Sequence, residues 1–291
     1  MSSAAVLGLG PMGRPIAGHL LDHGVDLRVW NRTASVAAAF GDRAVGRPSE
    51  VRAEVVFSAL PDVDQFDDVA PDDVVRTWAG HGTRHVVVLS TTSRDKVTAL
   101  QDRLQGHGIA LVDAPMSGGD AGARAGTLSL MVGGSPESFA TVEPLLRSFA
   151  TTVEHLGPVG TGTAAKLANQ VVVAATVAAV AEALDLARRA GVDGEQLLRV
   201  LRGGLAGGVF LDSKADRMLT GDHSLGGSID NQVKDLRYAA ELADQTGAPL
   251  RQARRTAELF VEAVERGLGG LDHTAVHRVV SADRPPGDTG G

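Results

Sequence analysis

Short apolar runs alternate with amphipathic stretches along the first half of the chain. Runs at Ala5–Leu9, Leu27–Trp30, Val55–Leu60, Val86–Ser90, Ala110–Asp113, Leu128–Val132 and Thr152–Leu156 read as strands. Met12–Asp22, Ser93–His107 and Pro136–Phe149 carry helical spacing between them. This alternation predicts βαβ units and a mainly parallel sheet. The pattern changes after Gly157-Pro158. From Gly160-Thr161-Gly162-Thr163 the chain runs to Ala190 without another Gly or a Pro, which predicts one helix of roughly 28 residues, about 42 Å long. It is apolar almost all round through Ala181, so burial on several sides is expected, against a domain and against a partner subunit. Further helices are expected at about 194–202, 232–246, 249–266 and 272–280, with Gly247, Ala248 and Pro249 marking a stop and a restart. The expected division is 1–158, 159–281 and a Pro/Gly/Asp-rich tail, 282–291, whose composition predicts disorder.

Composition narrows the function classes. Apolar residues make up 43% of the chain and aromatics 3%, so the core is built from small side chains. The net charge of −7 comes without blocks of like charge, which excludes a basic nucleic-acid footprint. The absence of cysteine excludes disulfides and a thiolate nucleophile. The apolar run from Val171 to Ala181 falls short of the about 20 residues a bilayer span needs. Met1-Ser2-Ser3-Ala4 leads straight into a strand with no signal peptide before it. The expectation is a cytoplasmic protein that engages no membrane.

Gly8-Leu9-Gly10-Pro11-Met12-Gly13 stands between a predicted strand and a predicted helix, the setting a dinucleotide fingerprint requires. Gly8 serves the tight turn, Gly10 lets the backbone approach a pyrophosphate, and Gly13 lets the helix pack on the strand. The first domain is therefore expected to be an α/β Rossmann domain, followed by an all-α domain built on the long helix. The second strand ends in Trp30-Asn31-Arg32-Thr33, with no acid to take the ribose 2′-hydroxyl of NAD. Arg32, with Asn31 and Thr33 as further donors, suits a 2′-phosphate instead. The expected cofactor is NADP(H), preferred over NAD(H).

Asp113-Ala114-Pro115-Met116-Ser117-Gly118-Gly119 follows another strand, and a Gly-rich loop is expected to continue to Gly126-Thr127-Leu128. Ser117, Gly118 and Gly119 can converge donors on a substrate carboxylate, although a flexible connector has the same composition. Lys166 lies in the first turns of the long helix, with Asn169 and Gln170 at i+3 and i+4 on one face. The helix dipole opposes a cation there, which suits a general acid/base; taken alone, the same residue also reads as a lysine snorkelling from an apolar helix. The pairs His19/His23, His81/His85 and His273/His277 have i,i+4 spacing but no HExxH pattern, and read as surface or capping residues.

Taken in order, Gly8–Gly13, Asp113–Gly119 with Gly126-Thr127-Leu128, Gly160-Thr161-Gly162 through Lys166-Leu167-Ala168-Asn169, and Lys234-Asp235-Leu236 resemble the 3-hydroxyisobutyrate dehydrogenase (β-hydroxyacid dehydrogenase) family over about 2 to 280. The family includes tartronate semialdehyde, glyoxylate and succinic semialdehyde reductases, and imine reductases. The resemblance implies a 6-phosphogluconate dehydrogenase-like plan with the active site between the two domains. It implies Lys166 as catalytic acid/base, Asn169 positioning the reacting group, and Ser117, Gly118, Gly119 and Gln170 at a small carboxylate-bearing substrate. It places Leu60, Pro61, Thr91 and Lys234 beside the cofactor, and it implies a homodimer or homotetramer formed through the long helix. Gln170 departs from a common second Asn, and Gly203–Phe210 departs from a common Ser-rich segment, so the substrate stays open. Two other readings are an NADPH-dependent imine reductase, against which Lys166 and Ser117-Gly118-Gly119 count, and a non-catalytic cofactor-binding protein, against which Lys166 and Asn169 count.

Overall fold

The computed structural model describes residues 3–224 and 226–282, and divides the chain into two compact units at Leu167/Ala168. The first unit runs β1 (Ser3–Leu7), α1 (Gly13–Asp22), β2 (Asp26–Trp30), α2 (Ala34–Ala37), β3 (Val55–Ser58), α3 (Val63–Val69), α4 (Asp72–Gly80), β4 (His85–Val88), α5 (Arg94–Gln105), β5 (Ala110–Asp113), β6 (Met116–Ser117), α6 (Gly119–Ala125), β7 (Leu128–Gly133), α7 (Pro136–Leu146), β8 (Ala150–Gly157) and the start of α8 (Thr161–Arg189). The second unit holds the rest of α8, then α9 (Gly194–Gly203), α10 (Val209–Ser213), α11 (Asp216–Thr220), α12 (Ile229–Thr246), α13 (Arg251–Glu265) and α14 (Val276–Ser281).

The first unit is a Rossmann-type layer structure. Its sheet has the order β2-β1-β3-β4-β5-β7-β6, with β8 beside β7. β2, β1, β3, β4 and β5 pair in parallel, and β7 runs antiparallel to β5 and β6. The central strands β1, β3, β4 and β5 are nearly unbroken apolar runs because both faces are covered, whereas β2 carries Asp26 and Arg28. Ala4, Val6, Val55, Phe57 and Val87 pack with Ile16, Leu20, Val142 and Leu146 on one face. Ala5, Leu7, Val56, Val86 and Val88 pack with Phe66, Trp78, Leu100 and Leu104 on the other. The period of two along each strand divides its residues between these two cores.

Three predicted strands stop two residues early, at Leu7, Ser58 and Val88. Gly8, at φ +92°, turns the chain out of the sheet after β1. The Gly-rich loop expected from Gly119 to Gly126 is instead the helix α6. Ala121, Ala123 and Ala125 favour it, Asp120 and Arg124 pair across one turn at 2.9 Å, and Gly126 closes it in the left-handed conformation.

In the helical unit Ala174, Val177, Ala181 and Leu184 of α8 pack against Leu198, Leu211, Met218, Leu236, Phe260 and Val276. α8 is long and apolar enough by length and composition to cross a membrane. Its first turn is bonded to the end of β5, and the face named above is buried in the helical core. The expected burial on several sides is not met within one chain: Val172 and Leu186 of α8 are 63% and 70% exposed. The tail expected to be disordered lies, Ala282 apart, outside the described residues.

A buried polar knot closes the helical unit. Asp272, fully buried, accepts from Lys214 Nζ at 2.8 Å, and Lys214 Nζ lies 3.2 Å from Nε2 of His273. Burial first, and then the Lys214 ammonium, push His273 down to about 4. Burial also holds His85, His223 and His277 below the ordinary histidine value. An unfolded chain takes up protons at these four sites near pH 6.5 that the folded chain refuses. Burial raises the Asp67 and Asp113 carboxyls, which act in the opposite sense; the Glu137, Asp185, Asp222 and Asp272 carboxyls lie below their ordinary value and act in the same sense as the histidines as pH nears 4. Stability is therefore expected to be full above about pH 6.5 and to fall as pH drops from there toward 4. Urea midpoints measured at pH 7 and pH 5 check this: the midpoint falls, and a midpoint that holds or rises contradicts the assignment.

Candidate active site

Every loop that the sequence marks in the first unit leaves the carboxyl end of a strand, the edge where open α/β sheets bind ligands. Gly8 to Met12 follow β1, Asn31 to Thr33 follow β2, Leu60 and Pro61 follow β3, Thr91 follows β4, and Ser117 to Gly119 follow β5. β1 and its neighbours bring the first four loops side by side.

Each glycine of the β1–α1 turn has its own reason. A Cβ on Gly13 would stand 2.0 Å from the Gly8 carbonyl oxygen and 2.9 Å from Cβ of Ala59, so α1 packs on the strand at backbone distance. A Cβ on Gly8 would meet Ala59 O at 2.9 Å. A Cβ on Gly10 would meet nothing within 4 Å. The protein itself does not need glycine at Gly10; a diphosphate laid against that backbone does. This open cradle at the start of α1 fits a dinucleotide. The second loop is tied to the first, since Oδ1 of Asn31 accepts from Leu9 N at 2.9 Å and Nδ2 of Asn31 donates to Thr33 O at 3.1 Å. Arg32 stands exposed between them.

The β3 and β4 loops are joined by three side chains to which the sequence reading gave no role. Asp62 Oδ1 accepts from its own helix at Val63 N (2.7 Å) and from Thr92 Oγ1 (2.5 Å), and Ser90 Oγ donates to Leu60 O at 2.6 Å. Lys96 Nζ lies 3.5 Å from Asp62. Leu60, Pro61 and Thr91 are thereby held in register.

Asp113, named in the sequence only as the head of its motif, has a role that the sequence reading did not assign. It ends β5 with no exposed surface, and its two carboxylate oxygens accept from Gly160 N at 2.8 Å and Thr163 N at 2.6 Å. These groups belong to the first turn of α8 and the residue before it, where helix N–H groups lack intrahelical partners. Burial raises the Asp113 carboxyl, and the two backbone N–H groups oppose that rise. One turn beyond Thr163, Lys166 is buried. Ser117, half-buried in β6, precedes Gly118 and Gly119, both at positive φ.

Asn169, Gln170 and Lys234 belong to the helical unit. Oδ1 of Asn169 is buried and has no hydrogen-bond partner among the described residues. Gln170 Nε2 donates to Asp235 Oδ2 at 2.6 Å, Gln232 Nε2 reaches Gln170 O at 3.3 Å, and Lys234 Nζ lies 3.5 Å from Asp235 Oδ1. Asp235 was also overlooked. Its signal was present: Gln232, Asp235, Leu236, Ala239 and Ala243 form the buried stripe of α12, and an acid on such a stripe needs a partner. Of the i,i+4 histidines, His19 Nε2 meets Ala123 O at 3.0 Å, joining α1 to α6. Among the described residues no group of three or more His, Asp or Glu could hold a metal ion.

Comparisons with known proteins agree with this geometry. A family profile described as the NAD binding domain of 6-phosphogluconate dehydrogenase matches residues 3–157. One described as the NAD-binding domain of NADP-dependent 3-hydroxyisobutyrate dehydrogenase matches residues 160–280. The chain is 32% identical to 2-(hydroxymethyl)glutarate dehydrogenase of Eubacterium barkeri, over 94% of this chain and 93% of that protein. It is 32% identical to 2-hydroxy-3-oxopropionate reductase of Escherichia coli, over 93% and 94%. A structure of Mycobacterium tuberculosis 3-hydroxyisobutyrate dehydrogenase with L-serine superposes with a TM-score of 0.82 at 29% identity, covering 96% of this chain and 99% of that one.

The glycine contacts separate folding from binding. Gly13→Ala is expected to destabilise the protein by about 1–3 kcal/mol, the usual range for overpacking. Gly10→Ala should change stability by less than about 0.5 kcal/mol and weaken dinucleotide binding. Urea denaturation and fluorescence titration of both variants check this; equal stability losses in the two would refute it.

Proposed function

We propose that this chain, which belongs to the 3-hydroxyisobutyrate dehydrogenase family, is a cytoplasmic NADP-dependent enzyme that interconverts a small hydroxy acid and its semialdehyde or keto form. That it is a nicotinamide-dependent oxidoreductase of hydroxy acids follows from the family. Cofactor preference, residue roles and assembly are our reading. The observation that carries it is the buried Lys166, one turn into a helix whose start is bonded to the strand that leads into Ser117-Gly118-Gly119.

When bound, the nicotinamide supplies the hydride exchanged at the carbonyl carbon. The backbone of Gly8, Leu9, Gly10, Pro11, Met12 and Gly13 receives the diphosphate at the α1 N-terminus. Asn31 holds that loop, and Arg32 and Thr33 take the 2′-phosphate. Leu60, Pro61 and Thr91 support the nicotinamide end. Ser117 Oγ and the Gly118 and Gly119 N–H groups hold the substrate carboxylate, consistent with the acids named in the relatives. In reduction, Lys166 Nζ gives its proton to the oxygen as negative charge develops there; in oxidation it removes that proton. Asn169, whose buried Oδ1 lacks a hydrogen-bond partner among the described residues, orients the reacting hydroxyl, and Gln170 and Lys234 complete the substrate and cofactor contacts the family resemblance assigns them. The exposed Val172 and Leu186 of α8 support a homodimer or homotetramer formed through that helix.

A preference of at least about tenfold for NADPH over NADH is expected, which needs only about 1.4 kcal/mol from one charge-assisted contact. Arg32→Ala should erase most of it; equal kcat/KM with both cofactors in the parent protein would refute the assignment. Lys166→Ala should lower turnover by at least about 10²-fold while leaving NADPH affinity by fluorescence titration unchanged. Near-normal turnover in that variant would remove Lys166 from the acid/base role.

A further inference from the structure

We infer that Asp113 is a positioning residue for the reaction: its carboxylate holds the first turn of α8 to the end of β5 and so sets where Lys166 stands relative to Ser117, Gly118 and Gly119. This rests on the reading of Lys166 as acid/base.

Asp113 is the hinge point of two chain segments that have to agree. Along the chain it ends β5 and precedes Ser117 of β6 by four positions. Through space it grips Thr163, three positions before Lys166. Each carboxylate oxygen has its own donor, at 2.8 Å and 2.6 Å, so the group fixes both the position and the rotation of the helix start.

The surroundings are shaped for that grip. A Cβ on Gly133 would fall 2.3 Å from Asp113 Oδ1 and 2.9 Å from Gly162 N. A Cβ on Gly162 would fall 2.3 Å from Met131 O and 2.6 Å from Asp113 O. Two glycines, one on each side, let helix and sheet meet backbone to backbone. Gly160, at φ +90°, makes the entry turn.

General stability is a poor explanation for a carboxylate here. Burial penalises its ionised form more than the two N–H groups favour it, which is why the carboxyl is raised. A neutral cap would hold a helix start at less cost. What the ionised group adds is a pair of strong, directed acceptors, useful where a fraction of an ångström in the placement of a proton donor matters.

The test is Asp113→Asn in the full-length protein. Asparagine keeps the volume but offers one acceptor oxygen and turns an amine on the other N–H. The expected result is a fall in kcat of about tenfold to a hundredfold, NADPH affinity unchanged, and a displaced pH limb for hydroxy-acid oxidation. A purely structural residue would lower the unfolding temperature while kcat per folded enzyme and the pH profile stayed parental; that outcome overturns the inference. Should Asp113→Asn fail to fold, Asp113→Ser takes its place: the smaller hydroxyl enters without a clash and accepts from only one of the two N–H groups; the same split of kcat from affinity is expected, and its absence overturns the inference. Lys166→Ala run in parallel separates the two claims. If that variant keeps its turnover, the acid/base reading falls and this inference with it. If it loses turnover while Asp113→Asn remains parental, only the positioning role falls.

Discussion

The first turn of α8 meets the sheet with hydrogen atoms where side chains would otherwise stand. Gly133 and Gly162 remove the obstacles, and the Asp113 carboxylate supplies the attraction. Much of the candidate site hangs from this seam. The strand it locks leads into Ser117, Gly118 and Gly119, and the helix it locks carries Lys166. A buried carboxylate is an expensive fastener, because desolvation acts against its charge. Its retention makes sense when direction matters more than net stabilisation, and two backbone donors aimed at two oxygens leave little freedom of either translation or rotation.

The nucleotide end of the first unit is organised by a cheaper device. Successive loops at the strand ends are tied to their neighbours by short polar side chains: Asn31 to Leu9 N, Ser90 to Leu60 O, Thr92 to Asp62. None of these bonds needs a long side chain with rotamer entropy to lose. The parallel strands already bring the loops to adjacent positions, so one hydroxyl or amide per pair is enough. This arrangement suits a chain with few aromatics, whose core relies on Ala, Val and Leu in close contact.

Periodicity revealed most of the architecture because burial imposes it. Strands covered on both faces read as unbroken apolar runs, and α8 betrayed itself by length and by the absence of breakers. The Gly8–Gly13 turn was legible because Gly8 and Gly13 answer local steric demands and Gly10 completes the spacing of the fingerprint. What stayed hidden depended on partners distant in sequence. Asp113 looked like one more polar residue ahead of a glycine-rich stretch, since its two donors lie 47 and 50 positions away. Asp62 and Thr92 are 30 apart, and Asp235 finds Gln170 across 65 positions. The α6 helix was missed because the glycines around it mask an alanine spacing and an Asp120–Arg124 pair that favour a helix. Sequence spacing shows which residues share a face; it does not show which backbone N–H groups will be left without partners and in need of a carboxylate.

α8 passes without a break from one compact unit into the other, and the division falls between Leu167 and Ala168. Lys166 and Asn169 thus stand on opposite sides of the boundary yet on consecutive turns of one rod. Their Cβ atoms are about 5–6 Å apart by helix geometry alone. The rod that carries both does not end at the boundary, so the amine of one and the amide of the other keep their spacing as long as the helix keeps its hydrogen bonds.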